Sequence, residues 1–353
     1  MNQRSVIQLA EPMHLLFVSE LKDHPFPWSR LMLSTRLNTV LGIDAPIVMA
    51  PMGRAAEATL ASAVCNAGGL GTLAAMAAKS EDLREQIRRI REMTSRPFGV
   101  GFITHLLGPR PLHFDVTMEA RVPVVTLSFG DPSPWVPIVK NSGAKVVCQV
   151  QSFDLARRAV EAGADVICVQ GNEAGGHTGR ENLLPLLIQA VTEFPHVPII
   201  ASGGIACGRS LAAVLAAGAE GAWVGTAFLV CNEVVNLMPG TRQAILASNG
   251  RDTVFSSATD HVIDHGLSRQ GWPQGVAVRH RPNEITDQWA GRESELVKSP
   301  AALDAYYRRM TNNDPAVEMV YYGQGAGAIK EMQSVQQVID GLITGALSRL
   351  RSF

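Results

Sequence analysis

Nowhere does this chain hold the ~20 consecutive apolar residues that a membrane-spanning helix needs; the apolar patch from Met13 to Val18 is far shorter. No basic segment leads that patch to a small-residue cleavage site, so a secretory signal is not expected. Cys-x-x-Cys spacing is missing as well. Cys65, Cys148, Cys168, Cys207 and Cys231 are scattered, two of them inside apolar runs, which reads as reduced thiols in a cytoplasmic protein. Long blocks of one charge are absent: 31 basic and 32 acidic residues leave a formal charge of -1. That balance points away from nucleic acid and from an anionic membrane, and toward a small-molecule partner. Neither a Walker A pattern nor Gly-x-Gly-x-x-Gly after the first apolar run occurs, which argues against a nucleoside triphosphate or a Rossmann-bound dinucleotide.

What the chain does have is apolar material, 46% of 353 residues, enough for one large α/β domain or two smaller ones. Residues 1–34, with Pro12, Pro25 and Pro27, read as an N-terminal arm that packs on the domain or on a neighbouring subunit of a homo-oligomer. From Ile43 onward, eight short apolar runs alternate with segments of helical spacing. The runs are Ile47 to Ala50, Gly69 to Ala74, Phe98 to Phe102, Val122 to Leu127, Lys145 to Val150, Asp165 to Gln170, Val197 to Ala201 and Gly221 to Val224. Glu57 to Ala67, Ser80 to Met93, Phe153 to Ala162, Leu183 to Glu193 and Arg209 to Ala217 carry the helical pattern between them. Gly68, Gly143, Gly163 and Gly218 stand where a left-handed helix cap would turn the chain back into a strand. Eight strand-helix units in series predict a closed (β/α)8 barrel, an α/β fold in which no sheet edge is left bare.

The barrel is assigned to residues 35–250. Residues 251–353 are expected to form a lid-like excursion, aperiodic from about 250 to 297, followed by C-terminal helices that pack on the barrel.

In such a barrel the site lies at the C-terminal ends of the strands, so each run is asked what it delivers there. The first gives Ala50-Pro51-Met52, a rigid apolar corner suited to lie under a flat ring; a loop proline beside a core methionine is the equal alternative. The fifth and sixth give Gln149 and Gln170, amides able to bond the edge of a heterocycle. Just past the sixth, Gln170 to Gly179 is rich in glycine and holds two titratable side chains, Glu173 and His177. A strand-to-helix turn with a merely exposed histidine would look the same. The seventh and eighth give Ser202-Gly203-Gly204-Ile205 and Val224-Gly225-Thr226-Ala227-Phe228, each with glycine and a hydroxyl residue before a helix. Backbone N–H groups there attract phosphate, and this pair of loops is the recurrent phosphate site of barrels, so a phosphate-bearing cofactor is expected.

Together, Ala50-Pro51-Met52, Ala63 to Gly71, Gln170 to Gly179, Ser202 to Ile205 and Gly225 to Phe228 resemble the nitronate monooxygenase family, formerly called 2-nitropropane dioxygenases, over roughly residues 35 to 350. The resemblance implies an FMN-dependent TIM barrel with His177 as catalytic base. It also implies FMN contacts from Gln170, Gly175, Gly204 and the Trp223 to Thr226 segment, beside which Ala50, Pro51, Met52, Gly101, Gln149, Gly176, Ser202 and Gly203 are further candidates. One departure stands out. Many members carry Asn where this chain has Gly101, leaving a backbone contact there. A similar Gly-Gly-His turn occurs in flavin-dependent enoyl-acyl-carrier-protein reductases, so the motif speaks for cofactor and base more than for substrate.

The reaction implied is oxidation of an alkyl nitronate with O2 to a carbonyl compound and nitrite. His177 would remove the α-proton of a neutral nitroalkane or steady the anion, since imidazole titrates near neutrality. Two alternatives stay open: an NAD(P)H-dependent flavin reductase of enoyl thioesters or quinones, and a non-redox sugar-phosphate barrel. Glu173 reads as a turn brace, His105 as a solvated loop residue, and Trp272 and Trp289 as anchors of the lid. Tyr321, Tyr322 and Gln324 are placed over the flavin from the C-terminal side. His261, His265 and His280 lack metal-ligand spacing, and no metal is assigned.

Overall fold

The computed structural model describes residues 33–75, 80–108 and 112–352. The expected arm, with the Met13 to Val18 patch, lies almost entirely outside them. In chain order the first half holds α1 (Arg36–Leu41), β1 (Ile47–Met49), α2 (Ala58–Asn66), β2 (Gly71–Ala74), α3 (Ser80–Met93), β3 (Phe98–Ile103), α4 (Leu112–Glu119), β4 (Val124–Ser128), α5 (Val136–Asn141), β5 (Lys145–Val150), α6 (Phe153–Glu161) and β6 (Val166–Gln170). Then come β7 (Gly176–Thr178), α7 (Leu183–Glu193), β8 (Ile199–Ser202), α8 (Gly208–Ala216), β9 (Ala222–Val224), α9 (Thr226–Leu229) and α10 (Thr241–Ala247). The last part holds β10 (Val254–Ser256), α11 (Ala258–Gly266), β11 (Ala277–His280), α12 (Glu284–Trp289), α13 (Glu293–Leu296), α14 (Pro300–Thr311) and α15 (Val335–Leu350).

Among the described residues, eight parallel strands pair in the order β1-β9-β8-β6-β5-β4-β3-β2, and a parallel bridge between Val48 and Leu70 brings the two ends together. This is the expected (β/α)8 barrel. Strand alternation divides its apolar residues into two sets. Val48, Val124, Val147, Val166, Cys168, Ile200 and Trp223 fill the barrel with Leu37 and Leu41 of α1, which plugs its N-terminal end. Their neighbours, among them Ile47, Met49, Val125, Val146, Ile167, Ile199 and Val224, face outward against the helices. α15 seals the outer layer: a Cβ at Gly208 of α8 would lie 2.4 Å from the Cα of Gly345 in α15, so the two helices meet backbone to backbone.

The stretch read as aperiodic is folded. β10, β11 and β7 form a separate antiparallel sheet, in which Val278 pairs with His177 and Arg279 with Gly176. Helices α11 to α14 and the 3-10 turn Pro315–Val317 gather Ala258, Val262, Ile285, Leu296, Leu303, Tyr306 and Val317 into a second small core. Each helix gives only a few of these residues, too few to register as a helical period. No helix among the described residues is long and apolar enough to cross a membrane.

Candidate active site

Inward positions of the strands are apolar at the base of the barrel and polar or absent at its top. On β4 the series runs Val124, Thr126, Ser128; on β5, Val147 then Gln149; on β6, Cys168 then Gln170; on β8, Ile200 then Ser202. Above this change of chemistry opens a cavity of about 560 Å3. Ala50, Pro51 and Met52 line one side, and Gly101 of β3 lies against Pro51. Gln149, Gln170 and Ser202 line the strand ends. Gly175, Gly176 and His177 come from the loop after β6, and Gly203, Gly204, Gly225 and Thr226 from the two glycine loops. Two of the expected contacts are off the wall: Gln324, whose neighbours Gly323 and Gly325 line the cavity, and Val224, which is buried on the outward face of β9 while its neighbour Trp223 lines the cavity. For Val224 the reason is the two-residue period of the strand.

Gly203 and Gly204 have φ of +108° and +69°, a left-handed pair that turns successive N–H groups toward one point. At Gly175 the need is for space, because a Cβ would lie 2.4 Å from Gly323 N. The C-terminal segment is strapped down here: Gln324 N–H donates to Glu173 O at 3.0 Å and Gly323 N–H to Thr226 Oγ1 at 3.1 Å. Tyr321, Tyr322 and Gly323 thereby join the wall. Glu173 accepts from Leu183 N–H at 3.2 Å and so braces the start of α7. Gln170 is engaged within the protein, accepting from Gln151 Nε2 and donating to His177 O, both at 3.0 Å.

His177 is the centre of a cluster that the sequence did not reveal. Its Nε2 pairs at 2.8 Å with Oδ1 of Asp260, a residue of α11 that is 3% exposed. Trp272 stacks flat on the imidazole, with ring centroids 3.4 Å apart and 13° between planes. That corrects its reading as a lid anchor. His105 is no solvated loop residue either: its ring packs 4.6 Å from Trp272, both ring nitrogens are buried without a partner, and burial pushes its titration down. Phe129 closes the cluster edge-on to Trp272 at 5.3 Å. It sits at φ +61°, a strained conformation for a bulky residue, held by His105 N–H donating to its carbonyl at 2.9 Å.

Buried Arg279 of β11 fastens this arrangement to the cap. Its Nε donates to Asn172 O at 2.8 Å, Nη1 to Thr253 Oγ1 at 3.0 Å and Nη2 to Asn172 Oδ1. Asp260 was detectable only as a carboxylate on a short helix whose Ala258 and Val262 face a core; nothing in the sequence tied it to a histidine 83 residues away. His261 and His265 bond Ser257 and Asp304, and His280 is buried with Nδ1 donating to Arg281 O at 2.6 Å.

A family model for nitronate monooxygenase matches residues 34–345. The nitronate monooxygenase of Paraburkholderia phytofirmans is 32% identical over 313 residues, covering 75% of this chain and 81% of that protein. A (3aS,4S,5R,7aS)-5-hydroxy-7a-methyl-1-oxo-octahydro-1H-indene-4-carboxyl-CoA dehydrogenase of Rhodococcus jostii is 28% identical over 345 residues, covering 90% and 97%. Among solved structures, FabK from Thermotoga maritima superimposes with a TM-score of 0.79 at 32% identity, covering 91% of this chain and 98% of that one. Nitroalkane oxidase from Streptomyces ansochromogenes gives 0.73 at 27%, covering 90% and 99%. With the barrel, the glycine loops and the histidine at their junction, these matches make the chain a member of the nitronate monooxygenase family, a flavin-dependent oxidoreductase.

Proposed function

We propose that this protein binds FMN and oxidises alkyl nitronates with O2 to a carbonyl compound and nitrite, with His177 as the base. The observation that carries this reading is the His177–Asp260 pair on the wall of a cavity whose other walls suit a flavin. The left-handed Gly203–Gly204 pair and the Gly225–Thr226 turn would hold the phosphate. Ala50-Pro51-Met52 offers an apolar surface for the ring, and the buried hydroxyl of Ser128 faces the cavity with no partner among the described residues. Bound FMN would accept electrons from the nitronate and bring O2 into reaction.

The protein's own part is proton handling and positioning. A carboxylate only accepts, so the His177 Nε2–H donates to Asp260 and the lone pair lies on Nδ1. Nδ1 is then the atom that takes the α-proton of a neutral nitroalkane, and Asp260 offsets the charge of the imidazolium that results. Trp272, flat on the ring, fixes its plane. Phe129 and Trp272 cover the histidine from bulk water.

A second reading, redox chemistry on an acyl thioester with the same base, is favoured by the Rhodococcus relative, which is named for a CoA ester and is matched along 97% of its length. Arg54 supports it. It is exposed, makes no ion pair among the described residues, and is the one permanently charged side chain on the described wall, a fit for an anionic tail. Nitrite release and O2 uptake test the first reading: both are expected in the parent with propyl 2-nitronate and with neutral 2-nitropropane, and in His177→Asn they are expected to be lost with the neutral form. A protein that consumes an acyl thioester and leaves the nitronate untouched would establish the second.

A further inference from the structure

Resting on the FMN reading above, we infer that Ser128, with Gln149 beside it, forms the hydrogen-bonding seat for the polar edge of the isoalloxazine, in place of a side chain that position 101 cannot carry.

Gly101 is closed to any other residue. A Cβ there would lie 2.6 Å from Pro51 Cγ, 2.7 Å from Pro51 Cβ and 2.8 Å from Thr126 Oγ1. Pro51 occupies the volume that an asparagine would need, so position 101 gives the cavity backbone alone. The neighbouring strand answers this. In register, Gly101 pairs with Thr126 and Ile103 with Ser128, and across the next pair Ser128 stands opposite Gln149. All of them take inward positions at the top of the barrel.

Thr126 and Ser128 are 0% and 4% exposed, and the hydroxyl oxygen of each lacks a hydrogen-bond partner among the described residues. A buried hydroxyl without a partner is a penalty that folded proteins rarely keep. The two differ in what they face: Ser128 lines the cavity and Thr126, one layer below, does not. Gln149 also lines the cavity and its side-chain amide makes no hydrogen bond to another described residue, whereas the Gln170 amide is tied to Gln151 and to the His177 carbonyl. Side by side on β4 and β5, then, stand one hydroxyl and one amide, each able both to donate and to accept. The uracil-like edge of a flavin alternates donors and acceptors in the same way. A sugar or an aliphatic acid has no flat edge of that kind.

The test uses the full chain, stripped of flavin and titrated with FMN while its fluorescence is followed, with thermal melting of the flavin-free form beside it. Ser128→Ala is expected to weaken FMN about tenfold, the loss of roughly one hydrogen bond. Its flavin-free form should melt no lower than the parent, since an unpartnered group has been removed. Ser128→Thr restores binding, and Thr126→Val, deeper in the barrel, leaves it within about twofold. Ser128→Ala that binds FMN as tightly as the parent overturns the seat and leaves the FMN reading standing. Ser128→Ala that melts lower without flavin also overturns it, by showing a packing role. A parent that binds no FMN removes the FMN reading and the seat together.

Discussion

Replacing Asp260 by asparagine keeps the size of the side chain but lets an NH2 group face the imidazole, so His177 can take the tautomer with its proton on Nδ1. The expected outcome is a fall of about 10²–10⁴ in kcat/KM for a neutral nitroalkane, with FMN affinity unchanged. With a pre-formed nitronate the fall is smaller, because the proton has already gone. Steady-state rates with the two substrate forms check this; equal losses for both would contradict the role as base. His280 and His105 make a separate prediction about stability. Burial lowers the titration of both rings, so the unfolded chain binds these protons more readily than the folded one. The stabilisation is complete above the ordinary imidazole range near pH ~6.5 and is lost as pH falls below it. Denaturant melts between pH 7 and 5 should show this slope, and His280→Gln should flatten it.

The cap sheet is the element that places His177. β7 is three residues long and contains His177; it exists because β11, about a hundred residues later, pairs with it. Arg279→Met removes three hydrogen bonds from a buried guanidinium and leaves Asn172 and Thr253 without their donor. A loss of about 3 kcal/mol is expected, with hydrogen exchange rising over residues 171–179; unchanged exchange there would show that the loop stands without the cap. Gly175→Ala should act at the other strap, pushing Tyr322 and Gly323 off the loop, and weaken FMN binding measured by fluorescence. These elements also mark what could be read in advance. The eight barrel strands were legible because each is a compact apolar run with helical spacing on either side, and the glycine loops because their place in the barrel gives them a task. β7, β10 and β11 were not, since three or four residues with no apolar run leave no period to read. Asp260 went unseen and Trp272 was read as a lid anchor for the same reason, since their contacts with His177 are made only once that sheet has formed. Within the Trp223 to Thr226 segment, motif reading did not show which residues face the cavity: Trp223 does and Val224 faces the helices.

At the scale of the whole molecule, a barrel supplies the glycine loops and polar strand ends, and a cap built from residues beyond 250 supplies Asp260, Trp272 and the strand that aligns His177. Neither part holds the site alone. The division leaves Arg54, Trp272 and Tyr321 on the cavity wall from turns and loops above the strands rather than from the strands themselves. The most direct measurement is the absorbance of the purified, FMN-loaded protein followed anaerobically after addition of propyl 2-nitronate and, separately, of NADH. The account predicts a yellow protein bleached by the nitronate and left coloured by NADH, with bleaching slowed in Asp260→Asn when neutral nitropropane is the reductant. Bleaching by NADH with none by the nitronate would contradict it and make the protein a nicotinamide-dependent reductase.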